Sequence, residues 1–283
     1  MAHLLKGNVV SQKIQAEIQN TLKTWQDKKW SPPSLTVVLV GEDPASQVYV
    51  GHKEKMCQAL GYKSQVIRMP AGSSQVDIIA QIQKLNQSAD VDAILVQLPL
   101  PAAIDSRAVL ESIDPRKDAD CLTETNLGKM LTGRSIVLPC TPAGVIEILK
   151  HYQVSVEGKS VAVIGRSLIV GTPLSHLLNK ENATVTVFHS KSVDLKSQLK
   201  NFDIVCVAAG RPRFLKANDF KDEAIIIDVG IHREEAGLCG DVDFTSAEKV
   251  KAYTPVPGGV GPMTIAMLMQ NTLKLAEARR KVL

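Results

Sequence analysis

No strong excess of charge marks this chain: 33 Lys and Arg stand against 29 Asp and Glu, a formal net charge of +4, and the two signs are interspersed rather than gathered into a basic stripe. That distribution argues against nucleic acid as the main partner. Aromatic residues are scarce at 4%. The five cysteines form no C-x-x-C pair and have no nearby paired histidine, which leaves neither a zinc site nor a disulfide framework supported and suits a reducing cytosol. No window holds 18 apolar residues, and the opening MAHLLKGNVVSQ lacks a cleavage signal, so the expectation is a cytoplasmic protein that is neither secreted nor membrane-spanning. There is no internal repeat and no low-complexity tract.

What is present is an ordinary globular composition, 45% hydrophobic and 22% charged over 283 residues, a length that suits one large or two modest α/β domains. Strand-like runs alternate with helix-length amphipathic segments from Leu35: LTVVLV, Pro44 to Leu60, SQVIRM, Val76 to Asn86, and DAILVQ. This rhythm predicts parallel βαβ units. It breaks at PLPAAIDS and through IDPRKDADCLTETNLGKMLTGR, after which Thr141 and Pro142 read as N-cap and first residue of a helix. A second series starts at Ser160 with SVAVIG, PLSHLLNKE, ATVTVF, DIVCVAA and AIIIDVG, and an amphipathic helix is predicted from Thr264 to Val282.

The turn in VIGRSLIVG is a poor G-x-G-x-x-G, with Ser167 and Val170 at the second and third glycine positions. Its setting is better than its letters, because a buried-type strand enters it and a helix with Thr172 and Pro173 near its start leaves it, so backbone N–H groups could face a pyrophosphate. NAD-specific units usually place an acid about 20 residues on, at the end of the second strand. Here that strand ends in His189, Ser190 and Lys191, which favours NADP, with Arg166, Ser190 and Lys191 available to the 2′-phosphate. The alternative is a strand–helix turn with a solvated Arg166.

Asp43 and Pro44 open a helix that carries Tyr49 and Lys53 one turn apart on one face, and Gly61 closes it. For Lys53 to act as a base near neutrality, desolvation or a neighbouring cation must lower its reference pKa of ~10.4. The KEK run around it is the usual mark of a solvated helix face. Gln97 closes an apolar run, at the strand end where open α/β sheets bind ligands, and Asp120 sits in a polar turn; taken singly, each also reads as a loop residue without a role.

In order along the chain, YVGHK, VQLPLP, PRKDAD, PCTPAG, VIGRSLIVGTP, NATVTVFHS, AAGRP, DVGI, GDVDF and TPVPGGVGPMT closely resemble the bifunctional methylenetetrahydrofolate dehydrogenase/methenyltetrahydrofolate cyclohydrolase family. The resemblance implies two α/β domains with a cleft between them: a catalytic folate-binding domain over 1–140, completed by a helix over 264–283, and an NADP-binding Rossmann domain over 141–263. It implies Lys53 as general acid/base with Tyr49 and Gln97 as catalytic partners, and Tyr49, Asp120, Pro257, Gly258 and Gly261 as folate contacts. Gly165, Arg166, Ser167, Ser190 and Ile231 would bind NADP, with no metal. Tetrahydrofolate derivatives as substrates and a homodimer are implied by the same likeness. One departure stands beside Asp120: the family pattern has glycine where this chain has Cys121, whose Cβ is expected to limit positive φ or crowd the pterin. The rival readings are a shikimate dehydrogenase-like enzyme, which shares the substrate-domain-first order, a short-chain dehydrogenase with its Tyr-x-x-x-Lys, and a binding protein without turnover.

Overall fold

A computed structural model of the chain describes residues 2–235, 237–245 and 249–281. The chain opens with β1 (His3–Leu4) and α1 (Gly7–Asp27), then alternates β2 (Ser34–Val40), α2 (Pro44–Leu60), β3 (Lys63–Met69), α3 (Gln75–Gln87) and β4 (Ala93–Val96). The polar stretch after β4 holds two short helices, α4 (Ser106–Glu111) and α5 (Glu124–Leu131). Next come α6 (Cys140–His151), β5 (Ser160–Ile164), α7 (Gly171–Lys180), β6 (Thr184–Phe188), α8 (Leu195–Gln198) and β7 (Ile204–Val207). Short strands β8 (Leu215–Lys216), β9 (Ile225–Asp228), β10 (His232–Glu234), β11 (Gly237–Cys239), β12 (Val242–Asp243) and β13 (Ala252–Tyr253) lead to the last helix, α9 (Val260–Arg280).

Two compact units result, one made of Ile14–Leu138 with the chain from Leu268 onward, the other of the chain up to Lys13 with Pro139–Met267. In the first, three parallel strands run in the order β3-β2-β4. Every residue of β2 is buried, as expected of a central parallel strand covered on both faces, and its Val38 and Val40 meet Ile78 and Ile82 of α3 and Ile94 and Val96 of β4 in one core. The C-terminal part of α9 closes this unit. Tyr62 donates from its hydroxyl to Met269 O at 3.1 Å, and the buried Asp92 receives Arg279 Nη1 and Arg280 Nη2, each at 2.9 Å.

The second unit is built on a six-stranded parallel sheet in the order β1-β13-β9-β7-β5-β6. Aliphatic residues of the central strands, among them Ala162, Ile164, Val205, Val207 and Ile226, form its core with Phe188 and Phe220.

Several boundaries differ from the sequence reading, among them that of the last helix, whose residues up to Met267 group with the second unit. Residues up to Lys13 group with the second unit rather than the first, because β1 pairs in parallel with β13 and Asn8 N donates to Gly258 O at 3.1 Å. Helix α6 begins at Cys140 with Pro139 at its N-cap, so Thr141 is not the cap; its hydroxyl instead lies 2.9 Å from that of Thr264. Helix α9 starts at Val260, ahead of the expected Thr264, and the expected end at Val282 lies outside the described residues.

Candidate functional site

Asp43 caps α2 by accepting from Ser46 N at 2.7 Å, a bond that holds its carboxyl below the usual carboxylate range; Pro44 follows, and Gly61 ends the helix in the left-handed conformation at φ 74°. The inward face of α2 consists of Ser46, Val50, Lys53, Cys57 and Leu60. Those positions recur at three- and four-residue steps, so Lys53 belongs to the core stripe and not to the solvated face suggested by the KEK run. It is 8% exposed, and its Nζ donates to Gln97 Oε1 at 2.8 Å. Tyr49, one turn earlier, is half-buried, and burial pushes its phenol up.

Gln97 immediately follows β4 and extends the sheet register by donating its backbone N–H to Val38 O at 2.9 Å. Its side-chain Nε2 donates to Leu98 O at 2.6 Å, which turns Oε1 toward the Lys53 amine. The amide is thus oriented by one bond and used through the other. The strand-end position and the helix face meet in a buried contact between residues 44 positions apart.

Asp120 is half-buried in the turn after an isolated parallel bridge between Ile94 and Asp118. Asp118, fully buried, organises the chain up to the start of α5: its carboxylate accepts from Leu122 N (3.2 Å), Thr123 N (2.9 Å), Thr123 Oγ1 (2.8 Å) and Asn126 Nδ2 (3.0 Å). Cys121 does adopt the left-handed conformation, φ 58°, despite its Cβ. The expected limit on positive φ therefore does not hold. Its thiol is fully buried, lies 3.4 Å from Val137 O as donor, and is pushed up to about 12 by that burial.

In the second unit, Gly165 has φ 117° and no space for a side chain, since a Cβ would meet Ala208 O. Gly171, the first residue of α7, packs as closely against the Gly165 carbonyl. The close-approach glycine that the sequence pattern sought at Val170 is therefore supplied one position later. Ser167 Oγ accepts from Val170 N at 3.1 Å, shaping the turn, while Arg166 and Ser167 are exposed. Ile164 and Phe188 are register partners in β5 and β6, so Arg166 and Ser190 each stand two residues beyond adjacent strand ends. Ser190 is exposed, and no carboxylate occupies this strand end.

Gly258 has φ 97° and Pro257 is exposed; Gly261 lies beside Ile231, whose Cδ1 is 3.8 Å from where a Cβ on Gly261 would stand. Two acids that sequence reasoning passed over hold the neighbouring loops. Asp241, completely buried, accepts from the backbone N–H of Ala209 (2.7 Å), Gly210 (3.0 Å) and Arg211 (2.9 Å) and lies 2.7 Å from His232 Nε2. Asp228 accepts from Gly230 N, Asp241 N and Val242 N, yet burial pushes its carboxyl up to about 7. Acids at strand ends, in DVG and GDVD, were the available signal. Among the described residues no group of three or more His, Cys, Asp or Glu could hold a metal, and no helix is long and apolar enough to cross a membrane.

Two family models match nearly end to end: the catalytic domain of tetrahydrofolate dehydrogenase/cyclohydrolase over residues 5–120 and its NAD(P)-binding domain over 139–280. A protein of Agathobacter rectalis named bifunctional protein FolD is 49% identical over 97% of this chain and 99% of its own. The crystal structure of the bifunctional enzyme FolD, methylenetetrahydrofolate dehydrogenase/cyclohydrolase, from Campylobacter jejuni superposes with a TM-score of 0.94 at 43% identity, covering 99% of this chain and 100% of that one. The Trypanosoma brucei N5,N10-methylenetetrahydrofolate dehydrogenase-cyclohydrolase, solved with NADP and an inhibitor, gives 0.95 at 36% identity with 99% of both chains covered.

Proposed function

The chain belongs to the tetrahydrofolate dehydrogenase/cyclohydrolase family, and on that premise we propose that it oxidises 5,10-methylenetetrahydrofolate with NADP and hydrolyses the methenyl product to 10-formyltetrahydrofolate. The observation that carries the reading is the buried Lys53–Gln97 bond, an amine aligned by an amide on the core face of a helix. An amine placed only for solvation would have no such partner.

In the hydrolytic half, water adds to the methenyl carbon and loses a proton, and the bond from that carbon to N5 breaks as N5 gains one. Lys53 serves both transfers as general acid/base. Gln97 Oε1 accepts from Nζ whether the amine is charged or neutral, so the amine stays aligned while its proton leaves and returns. Tyr49 adds an apolar wall and a phenol on the same helix face, and Asp120 anchors the pterin by accepting from its N–H edge. Pro257, Gly258 and Gly261 contribute backbone to the folate.

The oxidative half needs orientation more than a base, because the nitrogens flanking the reacting carbon stabilise the cation left by hydride loss. NADP, when bound, supplies the hydride acceptor. The residues present fit it: Gly165 and Gly171 have no side chain where the turn before α7 approaches itself most closely, Ser167 lies within that turn, and Ile231 follows the parallel strand β9 by three residues. Arg166 and Ser190 at neighbouring strand ends, with no acid between β6 and its loop, favour the 2′-phosphate of NADP over the bare ribose of NAD. A homodimer in the cytoplasm completes the proposal; β6 is an open sheet edge whose Val187 is 38% exposed, a surface suited to a second copy.

The test is a spectrophotometric assay with 5,10-methylenetetrahydrofolate and NADP or NAD, following reduced cofactor and methenyl compound together. Reduced cofactor should form with NADP in preference to NAD, and added methenyl substrate should be consumed. Turnover of shikimate with none of folate would overturn the reading.

A further inference from the structure

We propose that Asn271 is a positioning residue for folate binding, acting through Asp120. The role rests on the assignment of Asp120 as pterin anchor: a residue in an irregular turn must be held in the one geometry an anchor requires.

Asn271 is on the part of α9 that belongs to the first unit and is 1% exposed. Its amide nitrogen donates to Ala119 O at 2.9 Å and to Leu138 O at 2.8 Å, so both of its protons are committed to backbone carbonyls far away in sequence. Ala119 O belongs to the peptide that joins residue 119 to Asp120. On the other side of Asp120, the Cys121 thiol reaches Val137 O at 3.4 Å. Upstream, Ala119 N donates to Ile94 O at 3.2 Å, tying the same residue to the first half of β4, the strand that Gln97 follows.

The backbone on both sides of Asp120 is therefore fastened to residues 137–138, and one of the two fasteners is a side chain delivered by the last helix. Among the described residues its strand pairing is the single Ile94–Asp118 bridge, and the Asp118 carboxylate holds the chain that follows, from Leu122 onward. Without Asn271 the Ala119 carbonyl loses a bond that holds the peptide leading into Asp120, and with it a constraint on the direction in which Asp120 leaves the chain. An isosteric apolar residue would fill the space but leave two buried carbonyls short of a donor.

The experiment is a double-mutant cycle of Asn271→Leu and Asp120→Ala, read as the dissociation constant of tetrahydrofolate by calorimetry, with thermal melts and the NADP Michaelis constant as controls. Asn271→Leu alone should weaken tetrahydrofolate by about tenfold with NADP unaffected, and in the Asp120→Ala background it should change affinity by less than about twofold. A loss of the same size in both backgrounds, or an equal loss for NADP, would show a general structural role and overturn the proposal. No loss from Asn271→Leu where Asp120→Ala does weaken folate overturns positioning alone. No loss from Asp120→Ala overturns the anchor reading, and the positioning role with it. Should Asn271→Leu fail to fold, Cys121→Ala removes the opposite tether without touching α9; it should weaken folate in the wild-type background and not in Asp120→Ala, and additive effects there refute the idea equally.

Discussion

Replacing Lys53 by methionine separates the two reactions assigned to one site. The side chain is 8% exposed and lies on the apolar stripe of α2, so a methionine of similar length fits the space and removes a buried charge. Exchange of a buried ionisable group for a well-packed apolar one is often neutral or stabilising, whereas Gln97 Oε1 loses its donor, a cost of about 1–3 kcal/mol. These oppose each other, so the variant is expected to fold, with a melting temperature within about 5–10 °C of the parent. Catalysis should respond unequally. Loss of a general acid/base costs about a hundredfold to ten-thousandfold, and that loss falls on hydrolysis of the methenyl compound. Hydride transfer depends on orientation and should fall less, so methenyl product accumulates while reduced cofactor still forms. The assay follows both species by absorbance in the same cuvette, after a thermal melt shows the protein folded. Undiminished hydrolysis in folded Lys53→Met refutes the role of Lys53, and equal loss of both activities refutes the division of labour.

Arg166→Ala combined with Ser190→Ala should raise the Michaelis constant for NADP at least about tenfold more than that for NAD, as loss of charge-assisted bonds to one phosphate implies; equal effects on both cofactors exclude the 2′-phosphate role. Gly171→Ala puts a Cβ into the Gly165 carbonyl, backbone against backbone, and should cost at least about 1–3 kcal/mol in urea melts and weaken NADP; a neutral variant shows that the turn does not need the close approach. Asp228 carries a pH signature. Burial pushes its carboxyl up from an ordinary value of 3.8 to about 7, so between those limits the folded state holds a proton the unfolded chain has lost, and stability falls as pH rises through that window. Thermal melts from acid to neutral pH should show this fall in the parent and a shallower one in Asp228→Asn; identical slopes refute the assignment.

The alternation of apolar runs made the parallel strands of both units readable, because a strand covered on both faces is mostly apolar, as β2 is apart from the buried Ser34 and Thr36. Lys53 shows where local reading stops. Its immediate neighbours, Glu54 and Lys55, suggest solvent, but the stripe of Val50, Cys57 and Leu60 around it places it inward, and only the pairing with Gln97 gives that burial a purpose. The Gly-rich turn was found by its context while its third glycine was misplaced by one residue, since the pattern counts letters and the packing counts distance to the Gly165 carbonyl. Asp228 and Asp241 were visible only as acids at strand ends, without their partners, and Asn271 gave no signal. Their partners are backbone groups of distant segments, and a backbone group has no sequence signature. Cys121 gave the opposite lesson: its conformation is the one a glycine would take, kept here with a thiol bound to Val137 O.

Helix α9 has a consequence for the order in which the chain is made. Strands β2 to β4 leave the ribosome early, yet Asp92 beside them gains its arginine partners Arg279 and Arg280 only 187 and 188 residues later, and Tyr62 its acceptor Met269 O only after 207. At synthesis rates of about 5–20 residues per second that interval is on the order of ten seconds or more. The unit that holds β2 to β4 is thus completed only when the C-terminal part of α9 has been made. One helix thereby serves both units, its residues up to Met267 belonging to the second and those from Leu268 to the first.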